Sequence, residues 1–258
     1  LKSNKLWVVV SDLHFPLVHW PTWYATLDFI KHNQASIEGF LFLGDEFDNQ
    51  CISPHTKGKP LLRGTGSYKK ETSDFEKKIL TPLEKLIPKH CKKVIITGNH
   101  SKWERDFVEA HPELEGIERF TELHLAERGW NIVASGGTYK VGKLVTHHGD
   151  CFQGYSPVCV AKRGVEAFAA STLQGHTHSP QSYTRVSPTD IKQTWMGYVS
   201  PIAGNLNPAY MRNKPNAWAN GISIIETRPK GNFNCHLVIS DRKTGEFSYG
   251  GKTYSGQK

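Results

Sequence analysis

Five short clusters in this chain carry residue types suited to holding metal ions. They are Asp12-Leu13-His14, Gly44-Asp45-Glu46-Phe47-Asp48-Asn49, Gly98-Asn99-His100, His147-His148-Gly149-Asp150 and Gly175-His176-Thr177-His178. Imidazole and carboxylate donors together suit divalent transition metals such as Zn, Mn, Fe and Ni. Structural zinc sites are usually closed and cysteine-rich, and none of these clusters contains a cysteine. Residues two apart in an extended segment project to the same side, so Asp12 and His14 can reach one ion, as can His176 and His178. The neighbouring glycines let the backbone turn sharply and approach a ligand closely.

The clusters fall where the apolar pattern predicts the ends of elements. Residues 5–10, 39–43 and 93–97 read as short buried strands, and each runs directly into a cluster. In an open α/β sheet, ligands bind outside the carboxyl ends of the strands, so three such ends converge on one crevice. Helical spacing covers 22–33 and 73–87, the latter opened by a capping box of Ser73 and Glu76. Residues 49–70, with Gly58, Pro60, Gly64 and Gly66, read as a loop. Residues 102–127 read as mostly helical, broken near Pro112 and Gly116. Strands follow at 130–134, 138–141 and 143–147, then a helix over 158–171 and a strand over 172–178. Beyond residue 180 strands and turns alternate, with a hairpin tip at 241–245. The first half is thus β-α-β-α-β and the second mostly β. One α/β domain over 1–258 with two facing sheets is expected.

The 258 residues suffice to bury a large core without disulfide or metal staples. No run approaches the roughly 18 consecutive apolar residues of a membrane span, and no membrane partner is expected. The apolar start, residues 1–10, lacks a small-residue cleavage site and reads as a strand rather than a signal peptide. Cys51, Cys91, Cys151, Cys159 and Cys235 are odd in number and scattered, with no Cys-x-x-Cys pair, so neither a zinc ribbon nor a disulfide framework is indicated. A reducing cytoplasm is the expected compartment. The net charge of +8 favours anionic partners without identifying one.

Taken in order, Asp-x-His, Gly-Asp-x-x-Asp, Gly-Asn-His, His-Gly and Gly-His-x-His resemble the motifs of the calcineurin-like metallophosphoesterases. That family includes Ser/Thr protein phosphatases, purple acid phosphatases, cyclic-nucleotide phosphodiesterases and nucleases. The motifs span residues 12 to 178. The resemblance implies a four-layered α/β/β/α sandwich with two facing mixed sheets. It implies two divalent metal ions, manganese first, with Fe, Zn or Ni as alternatives. Asp12, His14 and His178 would hold one ion. Asn99, His148 and His176 would hold the other, and Asp45 would bridge them. A metal-bridging hydroxide would then attack the phosphoester, with His100 giving a proton to the leaving oxygen. Two ions less Asp12, Asp45 and the hydroxide leave a net charge of roughly +1 to face an anionic ester. His148, directly before Gly149, matches the family ligand, which leaves His147 a structural place. Asp48 and Asp150 are candidates to orient ligand imidazoles. One departure stands out: the family often has Asp or Glu after the acid histidine, and here it is Ser101. Glu104 or Asp106 would have to substitute.

Around the motifs, Lys57, Lys59, Arg63, Lys69 and Lys70 form either a basic lip over the crevice or a solvated loop. Lys102 and Arg105, with Arg63, are the candidates to bind substrate, and Lys162 and Arg163 extend the basic rim. Trp103 either packs or stacks a base. Residues 195–220, rich in Gly, Pro and Asn, resemble the C-terminal part of stand-alone phosphoesterases of phage genomes, which would place the chain in a host cytoplasm. DNA, RNA or a nucleotide is the first substrate expectation. Alternatives are a phosphoprotein or small-molecule phosphatase, a non-catalytic metal-binding scaffold, and a nucleic-acid-binding module.

Overall fold

The computed structural model describes residues 5–56, 58–59, 67–152, 158–190 and 192–256. The chain starts with β1 (Lys5–Val10), α1 (Trp20–Asn33) and β2 (Ile37–Phe42). Next come α2 (Tyr68–Phe75), α3 (Thr81–Leu86), β3 (Lys92–Ile96), α4 (Asn99–Ala110), the short α5 (Arg119–Glu122) and β4 (Trp130–Val133). The second half runs through β5 (Tyr139–Val141), β6 (Leu144–His147), α6 (Val160–Phe168), β7 (Ser171–Gln174), β8 (Gln181–Val186) and β9 (Thr194–Val199). It closes with β10 (Gly221–Thr227), β11 (Phe233–Ile239), β12 (Phe247–Tyr249) and β13 (Lys252–Tyr254).

One sheet has the order β11-β10-β1-β2-β3-β4, with β1 to β4 parallel and β10 and β11 antiparallel. The other has the order β5-β6-β7-β9-β8, parallel in its centre and antiparallel at both edges. Both are mixed. The period-two alternation of a strand divides the core. Val8, Val10, Phe40, Phe42 and Ile95 face Trp23, Phe29, Phe75 and Leu83 on the helices. Val9, Leu41, Val94 and Ile96 face Val141, Leu144 and Leu173 of the second sheet. On that sheet's far side, Val160 and Ala161 of α6 pack on Val199. Four layers result, α/β/β/α, as expected. The sheets also touch through backbone at one end: Ile202 bridges both Ser11 and Asn220, and Ala203 N–H donates to the Ser11 carbonyl over 3.0 Å.

Local readings needed correction in three places. The helix expected from Ser73 begins at Tyr68, because Ser67 caps it by accepting the Lys70 N–H. Ser73 and Glu76 lie inside, where a π-helical stretch, Glu76–Leu80, joins α2 to α3. The helix expected from residue 102 starts at Asn99, so the third cluster sits on its first turn. At 241–245 a turn does form, with Asp241 Oδ1 accepting from Lys243 and Thr244 N–H, but β12 pairs with β13 and not with β11. Among the described residues no helix is long and apolar enough to cross a membrane, and the five cysteines are free.

Candidate metal centre

Each cluster occupies the turn that leaves a strand or opens a helix. Asp12 and His14 follow β1, Asp45 follows β2, and Asn99 and His100 begin α4. His148 follows β6, and His176 and His178 follow β7. Five of these residues, Asp12, His14, Asp45, His176 and His178, have φ between 50° and 67°. The left-handed region disfavours any residue with a Cβ by roughly 1–2 kcal/mol. Strain of this kind persists where surrounding structure over-determines it, and it gathers at functional sites. Two glycines make the close packing possible. A Cβ on Gly44, itself at φ +94°, would lie 2.0 Å from His148 Nδ1, and one on Gly98 would lie 2.1 Å from Asp45 Oδ1.

Two donor groups form. In the first, His178 Nε2 lies 3.1 Å from Asp12 Oδ1 and 3.2 Å from His14 Nε2. Asp12 Oδ2 accepts the Ser11 hydroxyl and, at 3.0 Å, the His176 N–H. In the second, His148 Nε2 lies 3.2 Å from Asp45 Oδ2 and 3.3 Å from Asn99 Oδ1. Its Nδ1 is 2.9 Å from the Leu43 carbonyl, which can only accept. The Nδ1 therefore carries the hydrogen, and Nε2 is turned toward the cluster. The donor atoms of Asp12, His14 and His178 all lie within 4.8 Å of one another, as do those of Asp45, His148 and His176, and those of His14, Asp45 and His100. Asp45 thus reaches both groups.

The electrostatics favour cations here. Burial opposes charge on Asp12, but His178 and His148 outweigh it and hold the carboxyl well below the usual range. Asp45 is likewise held low against burial, by His100, His148 and His14. Burial pulls His14 down, yet Asp48, Asp45 and Asp12 raise it to about 9. Burial also opposes protonation of His148, and Asp45 with Asp12 raises it to about 10. His176 and His100 are lowered, chiefly by burial. Two imidazole nitrogens 3.2 Å apart on a buried carboxylate are compatible only when a proton or another cation lies between them. The donor set therefore fits divalent metal.

The expected supporting residues are placed unevenly. Asp48 Oδ1 lies 3.1 Å from His14 Nδ1, while Asp150 accepts from Ser135 and reaches no ligand imidazole. His147 packs on Phe168, 4.7 Å between ring centroids, on the side away from the cluster. Neither Glu104 nor Asp106 takes the place of a carboxylate at Ser101, since Glu104 is bound to Tyr68 and Arg119 and Asp106 to Lys102; the carboxylates beside His100 are those of Asp48 and Asp45, each 3.8 Å from a ring nitrogen. His100 is instead held by the Asp48 carbonyl, 2.7 Å from its Nδ1, and by Trp103 at 3.9 Å between ring centroids. Lys102 is paired with Asp106, and Arg105 lines a separate cavity with Thr97 and Ser101. Lys57 and Arg63 lie outside the described residues. Lys59 borders the cavity beside His100, whereas Lys70 pairs with Asp74 and Lys162 with Glu166.

Sequence reasoning passed over three contributors. Asn49 Nδ2 donates to the His100 carbonyl over 2.9 Å, and Asn49 Oδ1 accepts from the fully buried Arg119 over 3.0 Å. Tyr210 is the third: burial, then the carboxylates of Asp48, Asp45 and Asp12, push its hydroxyl upward. Asn49 stood inside a motif already singled out. Nothing local marks Arg119 or Tyr210.

No family model matches the chain, and no curated protein matches it. Solved structures similar to it include Vps29 of Entamoeba histolytica, at 13% identity and TM-score 0.42 over 92% of this chain and 99% of that one. Vacuolar protein sorting 29 of Cryptosporidium parvum is similar at 12% identity and TM-score 0.43, covering 98% and 95%. A predicted phosphoesterase of Streptococcus pneumoniae is similar at 10% identity and TM-score 0.40, covering 99% of each chain.

Proposed function

We propose that the protein is a metal-dependent phosphoester hydrolase acting on nucleotides or nucleic acid. The observation that carries this reading is the position of Asp45, whose carboxylate is within ligand reach of His14 on one side and of His148 and His176 on the other. A carboxylate so placed suits a bridge between two divalent ions, one held by Asp12, His14 and His178, the other by Asn99, His148 and His176. Manganese is the first expectation, and the same donors suit Fe, Zn and Ni. When bound, such ions polarise phosphoryl oxygens and lower the pKa of bound water toward about 7. The chain supplies the rest. His100 keeps one ring nitrogen on the Asp48 carbonyl and turns Nε2 toward Asp45, 3.8 Å from its Oδ2. Nε2 carries a proton for a leaving oxygen only in the imidazolium form, which burial opposes and the Asp45 and Asp48 carboxylates favour; general acids of this kind contribute about 10²–10⁴-fold. Asp48 and the Leu43 carbonyl orient His14 and His148. The +8 charge favours anionic esters.

The test compares bis-p-nitrophenyl phosphate with p-nitrophenyl phosphate on manganese-loaded protein, with Asp45→Asn as control. Metal-dependent hydrolysis of the diester, reduced more than ~100-fold in the variant, is expected, since residues that merely orient ligands already cost 10–100-fold. A preference for the monoester would redirect the reading to a phosphatase. Hydrolysis of neither, with two metals bound, would sink it in favour of a binding scaffold.

A further inference from the structure

A cavity of ≈ 440 Å³ opens beside the metal centre, within the roughly 300–1,000 Å³ typical of small-ligand sites. Asn99 and His100 reach it from the centre, Trp103 and Tyr210 line it, and Lys59, Arg212 and Lys214 add positive charge. Neither Arg212 nor Lys214 forms an ion pair among the described residues, and Lys59 Nζ donates only to the His55 carbonyl. The one acid on the wall, Asp48, is buried and directed at His14 and His100. The cavity therefore holds cations without counter-ions.

The backbone that carries Arg212 and Lys214 is held in place. Residues 205–218 are cross-braced: Asn205 N–H donates to the Leu17 carbonyl over 2.7 Å, Asn207 Nδ2 to Asn213 Oδ1 over 2.6 Å, and Asn216 Nδ2 to the Leu206 carbonyl over 3.0 Å. Arg212 and Asn213 are consecutive left-handed residues, φ 51° and 58°, at the apex of this segment. Its far end is tied to the metal centre, where Trp218 packs edge-on against His178 at 4.4 Å.

We infer that this cavity is the subsite for the leaving group, and that it selects one bearing both a second phosphate and a planar base. The inference rests on the hydrolase reading above. His100 decides which side of the phosphorus faces the cavity. In hydrolysis the oxygen of water bonds to phosphorus. The bond to the leaving oxygen breaks with its electron pair on that oxygen, which takes the His100 proton; a proton released from the attacking water balances the transfer. The group departing from His100 is thus the one that enters the cavity. Uncompensated Arg and Lys heads suit a phosphate, and aromatic walls suit a base or sugar. The volume suits a single nucleotide.

The experiment measures kcat/KM for the dinucleotides TpT, pTpT and TpTp on manganese-loaded protein, with bis-p-nitrophenyl phosphate alongside. Wild type is expected to prefer one terminally phosphorylated dinucleotide to TpT by roughly tenfold or more, as charge-assisted phosphate contacts warrant. Arg212→Gln with Lys214→Ala is expected to bring that ratio close to one. Lys59→Ala, outside the braced segment, is expected to reduce it in part, which covers the case of a double variant that folds poorly. Equal use of all three dinucleotides by wild type, with bis-p-nitrophenyl phosphate turned over, overturns the subsite and leaves the hydrolase reading standing. Failure on all four esters sinks the hydrolase reading and the subsite with it. A single-stranded oligonucleotide with the preferred terminus separates sources: faster turnover than the dinucleotide supports strand ends, slower turnover supports free nucleotides.

Discussion

His100 donates its Nδ1–H to the backbone carbonyl of Asp48 over 2.7 Å. The sequence directed attention to a missing carboxylate at position 101, yet the ring is oriented by a main-chain atom from a different cluster, 52 residues away. That acceptor fixes the tautomer, while the Asp48 carboxylate, 3.8 Å from the same Nδ1, adds its charge from beyond hydrogen-bond distance. Nε2 is then the nitrogen left facing Asp45, 3.8 Å from its Oδ2.

His100→Ala should lower turnover by about 10²–10⁴-fold on alkyl diesters, whose leaving groups need a proton. The loss should be much smaller on p-nitrophenyl esters, and elemental analysis should find metal content unchanged. Equal losses on both substrate types would rule out the acid role.

The adjacent histidines should separate cleanly. His148→Ala removes an Nε2 that lies 3.2 Å from Asp45 and should abolish stoichiometric metal binding. His147→Ala loses contact with Phe168 and should cost about 1–3 kcal/mol of stability with metal retained. Metal titration with denaturant unfolding checks both, and the reverse pattern would mean that the wrong histidine has been assigned.

Arg119 should prove essential to the shape of the site without touching it. Its Nη2 lies 2.9 Å from Glu71 Oε2, its Nη1 donates to the Tyr68 carbonyl and Thr72 Oγ1, and its Nε donates to Asn49. Arg119→Met removes the cation from a buried pair and should destabilise by about 3–5 kcal/mol. Arg119→Lys keeps the charge but cannot span both Glu71 and Asn49. It should fold better than the Met variant and still show reduced kcat. Urea midpoints and steady-state kinetics measure the two effects separately.

Glu84 gives a pH signature remote from the metal centre. Burial raises its carboxyl, but bonds from Arg128 and Trp130 outweigh this and hold it below its ordinary value near 4.5. A depressed folded pKa adds stability above the unfolded value, and that stability is lost as pH falls through the folded pKa. Glu84→Gln should therefore cost about 1–2 kcal/mol at pH 7 and progressively less below pH 4.5. A deficit that did not shrink at pH 3 would contradict the sign.

The strands and their terminal clusters were legible because both signals are local. A valine-rich run and the donors directly after it lie within ten residues. The preference for His148 over His147 rested on resemblance alone. The contact that turns His148 Nε2 toward Asp45, the Leu43 carbonyl on its Nδ1, joins residues 105 apart. The Ser73–Glu76 pair misled because a capping box read from sequence cannot be told from the same residues one turn inside a helix. Ser67, the actual cap, lay in a stretch read as loop. The partner of Lys102 was legible too: Asp106, four residues on, stands on the same helix face and pairs with it.

The backbone contact among Ser11, Ile202 and Ala203 has a consequence for the spacing of the candidate ligands. Apolar packing between two sheets is non-directional and leaves them some freedom to slide. Directional hydrogen bonds do not, and here they lie one residue from Asp12. The distance between donors carried by different sheets is therefore gauged by the main chain, like the jaws of a calliper locked near the tip. Side-chain substitutions elsewhere in the core can loosen the far end of the sandwich while that gauge stays the same.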